Sequence, residues 1–211
     1  PAVQEMVKQL ERIGYEITKV RPGPTGSLTL EQVVSAIRPD TALVSVMAAN
    51  NETGALNPVY QIGHYISQLI NKPLYHVDAT QAIGKIPFDF AQTKADYAAF
   101  SAHKFHGPKG VGVLLVKDGA CFKPLLVGGG QENKCRAGTE NVPGIIGTGI
   151  AAELAKKNLP LVQQKVKARR DWLESKIKTI FGPDCFVLAE KAARTPNTSF
   201  IALRGSNGRR I

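Results

Sequence analysis

The sequence predicts an α/β fold in which a mostly parallel sheet is flanked by helices, followed by the start of a small α+β domain. The first observation is that short apolar strand patterns alternate with helical patterns of about 10–15 residues over the first two-thirds of the 211 residues. This spacing is typical of βαβ units, whose strands are parallel and whose crossovers are right-handed. The second observation is a near-continuous apolar run at residues 42–47, the pattern of a strand covered on both faces.

The N-terminal segment predicts a helix, a strand and a second helix in that order. Apolar residues recur at helical spacing over the first ten positions, and Gly14 follows as a signal that ends the helix. Residues 15–20 predict a strand, and the Pro- and Gly-rich segment 22–26 predicts a loop. Thr29 and Gln32 have the spacing of a capping box, so a helix is expected to begin immediately after Thr29.

The central segment supplies the sheet. After the apolar run at 42–47, Pro58 is predicted to start a helix that reaches about residue 70. Three further strands are expected, at residues 74–77, 97–100 and 111–116.

Past residue 143 the pattern changes to two long helices, 145–157 and 162–181, and two short strands, 186–189 and 199–203. The segment Asn158-Leu159-Pro160 separates the helices. The sequence therefore predicts a large domain over residues 1–158 and the beginning of a small domain over residues 159–211.

Composition excludes several classes of protein. No apolar run approaches the roughly 20 residues that span a bilayer, and the first residues do not have the pattern of a secretory signal. Three cysteines with no C-x-x-C spacing argue against a disulfide framework and against a zinc site. We therefore expect a cytoplasmic protein without a metal and without a membrane partner.

The net charge of +10 is concentrated in the C-terminal quarter, where residues 156–211 carry 13 Lys and Arg against 4 Asp and Glu. The basic run at 165–170 is read as the solvated face of a helix. A nucleic-acid site is the alternative, but no aromatic stacking pattern and no helix-turn-helix spacing accompanies the charge, so no nucleic-acid partner is expected.

Polar residues follow three of the predicted strands at the point where each strand ends. They form the segments 50–54 (NNETG), 78–81 (DATQ) and 101–104 (SAHK). In open α/β sheets, side chains just past the carboxyl ends of the strands are the ones that meet ligands.

This set of side chains suits pyridoxal 5′-phosphate (PLP). The amine of Lys104 suits a Schiff base with an aldehyde, and the carboxylate of Asp78 suits a ring nitrogen that must stay protonated. The hydroxyl of Ser101 and the imidazole of His103 suit a phosphate. Each residue alone has an ordinary alternative, a helix cap or turn for Asp78 and a surface lysine for Lys104, and only their joint order favours PLP.

The sequence resembles the cysteine desulfurases of the NifS/IscS type, in the class V aminotransferase group of fold-type I PLP enzymes. The stretches that carry the resemblance are 50–54 (NNETG), 76–81 (HVDATQ), 101–110 (SAHKFHGPKG), 128–132 (GGGQE) and 136–141 (RAGTEN). The resemblance runs through nearly the whole chain and implies the large domain of a PLP-dependent transferase.

The resemblance implies a role for each matching residue. Lys104 would be the Schiff-base lysine and proton shuttle, and Asp78 the partner of the ring nitrogen. The remaining cofactor-binding residues would be Asn51 and Gln81 at the phenolic oxygen, Ser101 and His103 at the phosphate, and Thr139 at the phosphate of a neighbouring subunit.

The implied activity removes sulfur from L-cysteine, gives alanine, and leaves a persulfide on an enzyme cysteine for sulfur transfer and iron–sulfur cluster assembly. The implied partners are a second copy of the chain and a sulfur-acceptor or scaffold protein.

The chain also departs from the family pattern. The sulfur-accepting cysteine of the family falls beyond Ile211, and Cys121, Cys135 and Cys185 do not match it. A stacking histidine expected before Pro1 and a C-terminal arginine for the substrate carboxylate are absent as well. The chain therefore resembles the middle of a longer enzyme, and it is expected to show no desulfurase turnover alone.

Two alternatives stay open. A selenocysteine lyase or another class V enzyme would keep the fold and cofactor but change the substrate. A non-catalytic, degenerate assembly module would keep only the fold. A plain nucleotide-binding domain is disfavoured, because neither G-x-x-x-x-G-K-S/T nor a G-x-G-x-x-G after a strand is present.

Overall fold

A computed structural model describes residues 2–206 and confirms the α/β fold. Its main sheet has four strands in the order β1-β2-β3-β4. Strands β1 to β3 pair in parallel, and β4 pairs antiparallel with β3. The strands are β1 (Leu43–Met47), β2 (Leu74–Asp78), β3 (Tyr97–Ser101) and β4 (Gly112–Val116).

Four helices accompany this sheet along the chain. They are α1 (Ala2–Arg12), α2 (Leu30–Val34), α3 (Val59–Ser67) and α4 (Phe90–Thr93). The predicted capping box is confirmed at α2. The hydroxyl of Thr29 accepts a hydrogen bond from the amide of Gln32, and the Gln32 side chain accepts one from the amide of Thr29.

The core lies between the sheet and α3. Tyr75, Val77 and Ala98 of the central strands are fully buried, as is Ile62 of α3. The hydroxyl of Tyr75 donates to the carbonyl oxygen of Val59 over 2.9 Å, so the one polar atom of this ring has a partner inside the core. Burial of a side chain such as Val77 or Ile62 is worth about 1.5–3 kcal/mol.

The predicted strand at residues 15–20 is wrong. This segment follows α1 as irregular chain, and within residues 2–206 it pairs with no strand. Its side chains are mostly exposed, with Tyr15 at 55%. A β-forming pattern becomes a strand only where a neighbouring strand and a buried face are available, and neither is present here. The stop signal is confirmed, because Gly14 has a φ of +96° just after α1.

The predicted pair of separate helices after residue 143 is also wrong in detail. Helix α5 (Val142–Leu161) continues through a π-helical segment, Val162–Val166, into α6 (Lys167–Phe181). Pro160 lies inside α5 and has no amide hydrogen to donate, yet the helix continues and the wider π-helical turns follow it. The domain boundary at residue 158 stays a prediction.

A two-stranded antiparallel sheet follows, formed by β5 (Cys185–Val187) and β6 (Ile201–Leu203). The connection between these strands pairs with the loop after β1. The amide of Leu56 donates to the carbonyl of Ala193, and the amide of Thr195 donates to the carbonyl of Gly54, each over 2.8 Å. The second predicted domain extends to residue 211, and its last five residues lie outside the described part.

Among residues 2–206, no helix has the length and apolar character needed to cross a membrane. None of the three cysteines forms a disulfide.

Candidate active site

The carboxyl ends of β1, β2 and β3 meet at one edge of the main sheet, as parallel pairing requires. Asp78, the last residue of β2, pairs with Met47 on one side and Ala99 on the other. The carbonyl of Asp78 accepts from the amide of Ala48 over 2.8 Å, and the next amide, of Ala79, donates to Ala99 over 2.9 Å. Asp78 therefore lies at the centre of this edge.

The carboxylate of Asp78 is partly buried and accepts a hydrogen bond from the amide of Thr80 over 2.9 Å. Two residues earlier, on the same face of the strand, Nδ1 of His76 lies 2.9 Å from the hydroxyl of Ser45. Burial lowers the pKa of His76, and the negative charge of Asp78 opposes that shift. The net direction is downward, which favours a neutral ring beside Asp78 at neutral pH.

Lys104 lies in a short 3₁₀ turn, Ala102–Phe105, that directly follows β3. Ala102 and Phe105 are buried, whereas His103 and Lys104 are exposed. The ring of Phe105 packs against that of Phe100, with centroids 6.0 Å apart. The turn closes where the amide of Gly107 donates to the carbonyl of Ala102 over 2.9 Å. Its two apolar residues thus anchor the turn and leave the imidazole and the amine directed outward.

The two asparagines after β1 have different positions. The side-chain oxygen of Asn50 accepts from the amides of Glu52 and Thr53, both over 2.9 Å, and so stabilises the turn. Asn51 is exposed, and within residues 2–206 its side chain makes no hydrogen bond. The amide oxygen of Asn50 is therefore engaged in the turn, whereas both ends of the Asn51 amide stay available at this edge.

Gln81 lies in a helical turn that follows Asp78, and its side-chain oxygen accepts a hydrogen bond from the ammonium of Lys85. The sequence reasoning missed Lys85. Its only signal was the four-residue spacing from Gln81, which brings two side chains together if the intervening residues form a helical turn.

Thr139 is exposed in the loop before α5. Within the described chain, no hydrogen bond joins Thr139 to the residues at the sheet edge. The side chain of the neighbouring Asn141 caps α5 by accepting from the amide of Gly144 over 3.1 Å.

The donor set at the sheet edge fits the functional groups of PLP. An amine, a carboxylate, two amides, a hydroxyl and an imidazole lie on three adjacent strand ends, and PLP offers an aldehyde, a ring nitrogen, a phenolic oxygen and a phosphate. A metal fits less well, since the described residues contain no cluster of three His, Cys, Asp or Glu side chains that could hold one.

A cleft of about 870 Å³ lies elsewhere, between α6 and the segment before β6. Its walls carry charged side chains such as Arg170, Glu174 and Arg194, and none of the predicted site residues lines it. The charged groups are paired with one another, so we place the candidate site at the sheet edge.

Comparison with known proteins identifies the family of the chain. The family model described as "Aminotransferase class-V" matches residues 1–210. The chain is 42% identical over 211 residues to a cysteine desulfurase of Nostoc sp. PCC 7120, covering 100% of this chain and 52% of that protein. It is 41% identical to the cysteine desulfurase NifS of Azotobacter vinelandii, again covering 100% of this chain and 52% of that protein.

Solved structures of NifS-like proteins also superpose on the chain. A structure named NifS-like protein superposes with a TM-score of 0.93 at 39% identity, covering 99% of this chain and 56% of that one. A NifS-like protein from Rickettsia africae superposes with a TM-score of 0.87 at 29% identity, covering 97% and 56%. The chain spans about half the length of the curated relatives it matches.

Proposed function

Because the chain belongs to the class-V aminotransferase family, we propose that it forms the PLP-binding core of a cysteine desulfurase. The proposed reaction removes sulfur from L-cysteine, releases alanine and transfers the sulfur to an enzyme thiol as a persulfide. The observation that carries the proposal is the position of Asp78 and Lys104 at the ends of two neighbouring parallel strands.

In this proposal Lys104 and Asp78 have different roles. Lys104 supplies the amine that attaches the cofactor's aldehyde carbon and later carries the substrate's α-proton. Asp78 keeps a proton on the ring nitrogen. When bound, PLP withdraws electrons from the α-carbon of the amino acid into its protonated ring.

The other proposed cofactor contacts follow from the chemistry of each side chain. Amides donate to a phenolic oxygen, and hydroxyl and imidazole groups donate to a phosphate. We assign Asn51 and Gln81 to the phenolic oxygen, Ser101 and His103 to the phosphate, and Thr139 to the phosphate of a second copy.

The proposal includes partners and a location. A second copy of the chain would complete the site through Thr139, and a sulfur-acceptor or scaffold protein would receive the sulfur for iron–sulfur cluster assembly. We propose the cytoplasm as the location, since the three cysteines are unpaired.

Covalent trapping tests the proposal. The chain is incubated with PLP, reduced with borohydride and mapped by peptide mass spectrometry. We expect the label on the peptide that contains Lys104. The variant Lys104→Ala should lose the label, whereas Lys109→Ala, which removes an exposed lysine of the following loop, should keep it.

A label on another lysine, or no label, would contradict the proposal. The absence of a label would also favour the non-catalytic assembly module. With the label in place, a desulfurase is separated from a selenocysteine lyase by comparing how L-cysteine and L-selenocysteine each change the visible absorption band of the bound cofactor, a readout that needs no turnover.

A further inference from the structure

Lys85 is a buried lysine beside the candidate site. Its residue exposure is 8%, which makes it one of the few buried charged residues of the described chain. Within residues 2–206 no carboxylate lies within ion-pair distance of it. An ammonium buried without an anionic partner is unfavourable, so Lys85 is poorly explained as a residue that merely fills the core.

The ammonium of Lys85 has one hydrogen-bond partner among the described residues, the side-chain oxygen of Gln81. A lysine ammonium can only donate, so the atom that faces it must be the oxygen of the amide. The NH₂ group of Gln81 then points away from Lys85. This contact settles an orientation that two otherwise similar amide ends would leave open.

The loop that carries Gln81 and Lys85 packs against the turn that carries Lys104. Gly84 belongs to this loop, directly before Lys85, and has a φ of +74°. A Cβ atom at Gly84 would lie 3.1 Å from the Cβ of Phe105 and 3.1 Å from the Cβ of Ala155. A side chain at Gly84 would crowd both neighbours, and its positive φ would be strained for any residue with a Cβ atom, so the two active-site segments pack closely at this glycine.

The electrostatics agree with this packing. Burial lowers the pKa of Lys85 from its ordinary value, and the charge of Lys104 lowers it further. The amines of Lys85 and Lys104 are thus close enough to interact.

We propose that Lys85 is a positioning residue, which holds the side-chain oxygen of Gln81 so that its NH₂ group is presented to the phenolic oxygen of the cofactor. This inference rests on the proposed function, because it needs PLP attached at Lys104. It deepens that function by adding a residue that touches neither the cofactor nor the substrate and acts through Gln81.

A double-mutant cycle tests the inference in the PLP-loaded chain. The variants are Lys85→Met, Gln81→Ala and the two combined, and the readouts are the PLP dissociation constant and the visible absorption band of the bound cofactor. Each single variant should weaken PLP binding about tenfold, the size expected for one hydrogen bond to a charged oxygen. If Lys85 acts through Gln81, the double variant should also lose only about tenfold, because the second substitution removes nothing further.

The absorption band supplies a readout that a purely structural role would not move. Lys85→Met and Gln81→Ala should shift the band in the same direction and by a similar amount. The control Lys72→Met removes an exposed lysine from the loop before β2 and should change neither readout.

Three outcomes would overturn the inference. An additive loss of PLP affinity of about 100-fold in the double variant would overturn the role of Lys85. An unchanged PLP affinity and absorption band in Lys85→Met would overturn it as well. In both cases labelling of Lys104 would still support the proposed function. If the unaltered chain does not attach PLP at Lys104, the proposed function and this inference both fail. If thermal unfolding shows that Lys85→Met does not fold, Lys85→Leu replaces it in the same cycle and is judged by the same criteria.

Discussion

Glu174 of α6 and Arg194 form a bidentate ion pair that is almost completely removed from solvent. Their side chains are 8% and 5% exposed, and both nitrogen–oxygen distances are 2.8 Å. Arg170 lies beside the pair and donates to the carbonyl of Thr195 over 2.7 Å. These contacts join α6 to the segment that precedes β6.

The charge of Glu174 depends on this partner. Burial is the largest single influence and raises the pKa of its carboxyl group. The hydrogen bonds from Arg194, the nearby hydroxyl of Ser199 and the charges of Arg194 and Arg170 together outweigh burial, so the pKa lies below the ordinary value of 4.5. A carboxyl group whose pKa is lower in the folded state contributes stability above its unfolded pKa. That contribution is lost as the pH falls below 4.5 and through the folded pKa.

The variant Glu174→Gln tests this account. It should lower the free energy of unfolding by about 3 kcal/mol at neutral pH, because it leaves the guanidinium of Arg194 buried without a charge partner. It should also reduce the loss of stability on acidification, as measured by urea unfolding at neutral pH and below 4.5. The control Asp184→Asn changes a carboxylate that is 61% exposed and 3.8 Å from Arg204. An acid dependence equal to that of the unaltered chain would contradict the assignment.

At the scale of elements, α3 approaches the end of α4 closely at one glycine. A Cβ atom at Gly63 would lie 1.8 Å from the carbonyl oxygen of Thr93, and that oxygen belongs to backbone that cannot rotate away. The contact positions α3 over Tyr75, whose side chain would also lie 3.0 Å from such a Cβ atom. The glycine is thus required by close packing.

Substitution of Gly63 should therefore separate packing from helix propensity. Gly63→Ala should lower the free energy of unfolding by about 1–3 kcal/mol, the cost of overpacking a core. The matched variant Gly149→Ala lies in α5 with no atom within 4 Å of the added Cβ. It should stabilise the chain by about 0.5–1 kcal/mol through the helix propensity of alanine. Urea unfolding measures both, and a stabilised Gly63→Ala would refute the packing argument.

At the scale of the whole molecule, one face of α5 is apolar and exposed. Val142, Ile146, Ile150 and Leu154 recur every four residues, and each is more than half exposed. The opposite face carries Gly144, Thr148 and Ala151, which are buried. A contiguous apolar stripe of this kind is typical of a surface covered by protein.

The stripe supports the proposed pairing of two copies. We expect sedimentation to give the mass of two copies for the unaltered chain. The double variant Ile146→Glu with Ile150→Glu should give the mass of one copy, because charges would replace the centre of the apolar stripe. The control Ile70→Glu, at a fully exposed position outside α5, should leave the mass unchanged. A single-copy mass for the unaltered chain would contradict the pairing.

Much of the fold was accessible from local patterns. The four strands of the main sheet, the capping box at Thr29 and the long C-terminal helices each have a periodicity or a cap that acts over a few residues. Residues 15–20 have a strand pattern but no neighbouring strand, and β1 carries a half-exposed Leu43 because it forms an edge of the sheet described. These differences arise because pairing and burial depend on segments far apart along the chain.

The sequence by itself determined which side chains stand at the strand ends, since Asp78, Ser101 and Lys104 each follow an apolar run that has to become a strand. Parallel pairing then brings their carboxyl ends to one edge. Only the tertiary structure decided that Asn50 supports the turn while Asn51 is free, and that Lys85 is buried beside Gln81. The physical reason is that hydrogen-bond partners and burial are set by how loops pack on one another, as Gly84 packs against Phe105, and no short-range pattern specifies that packing.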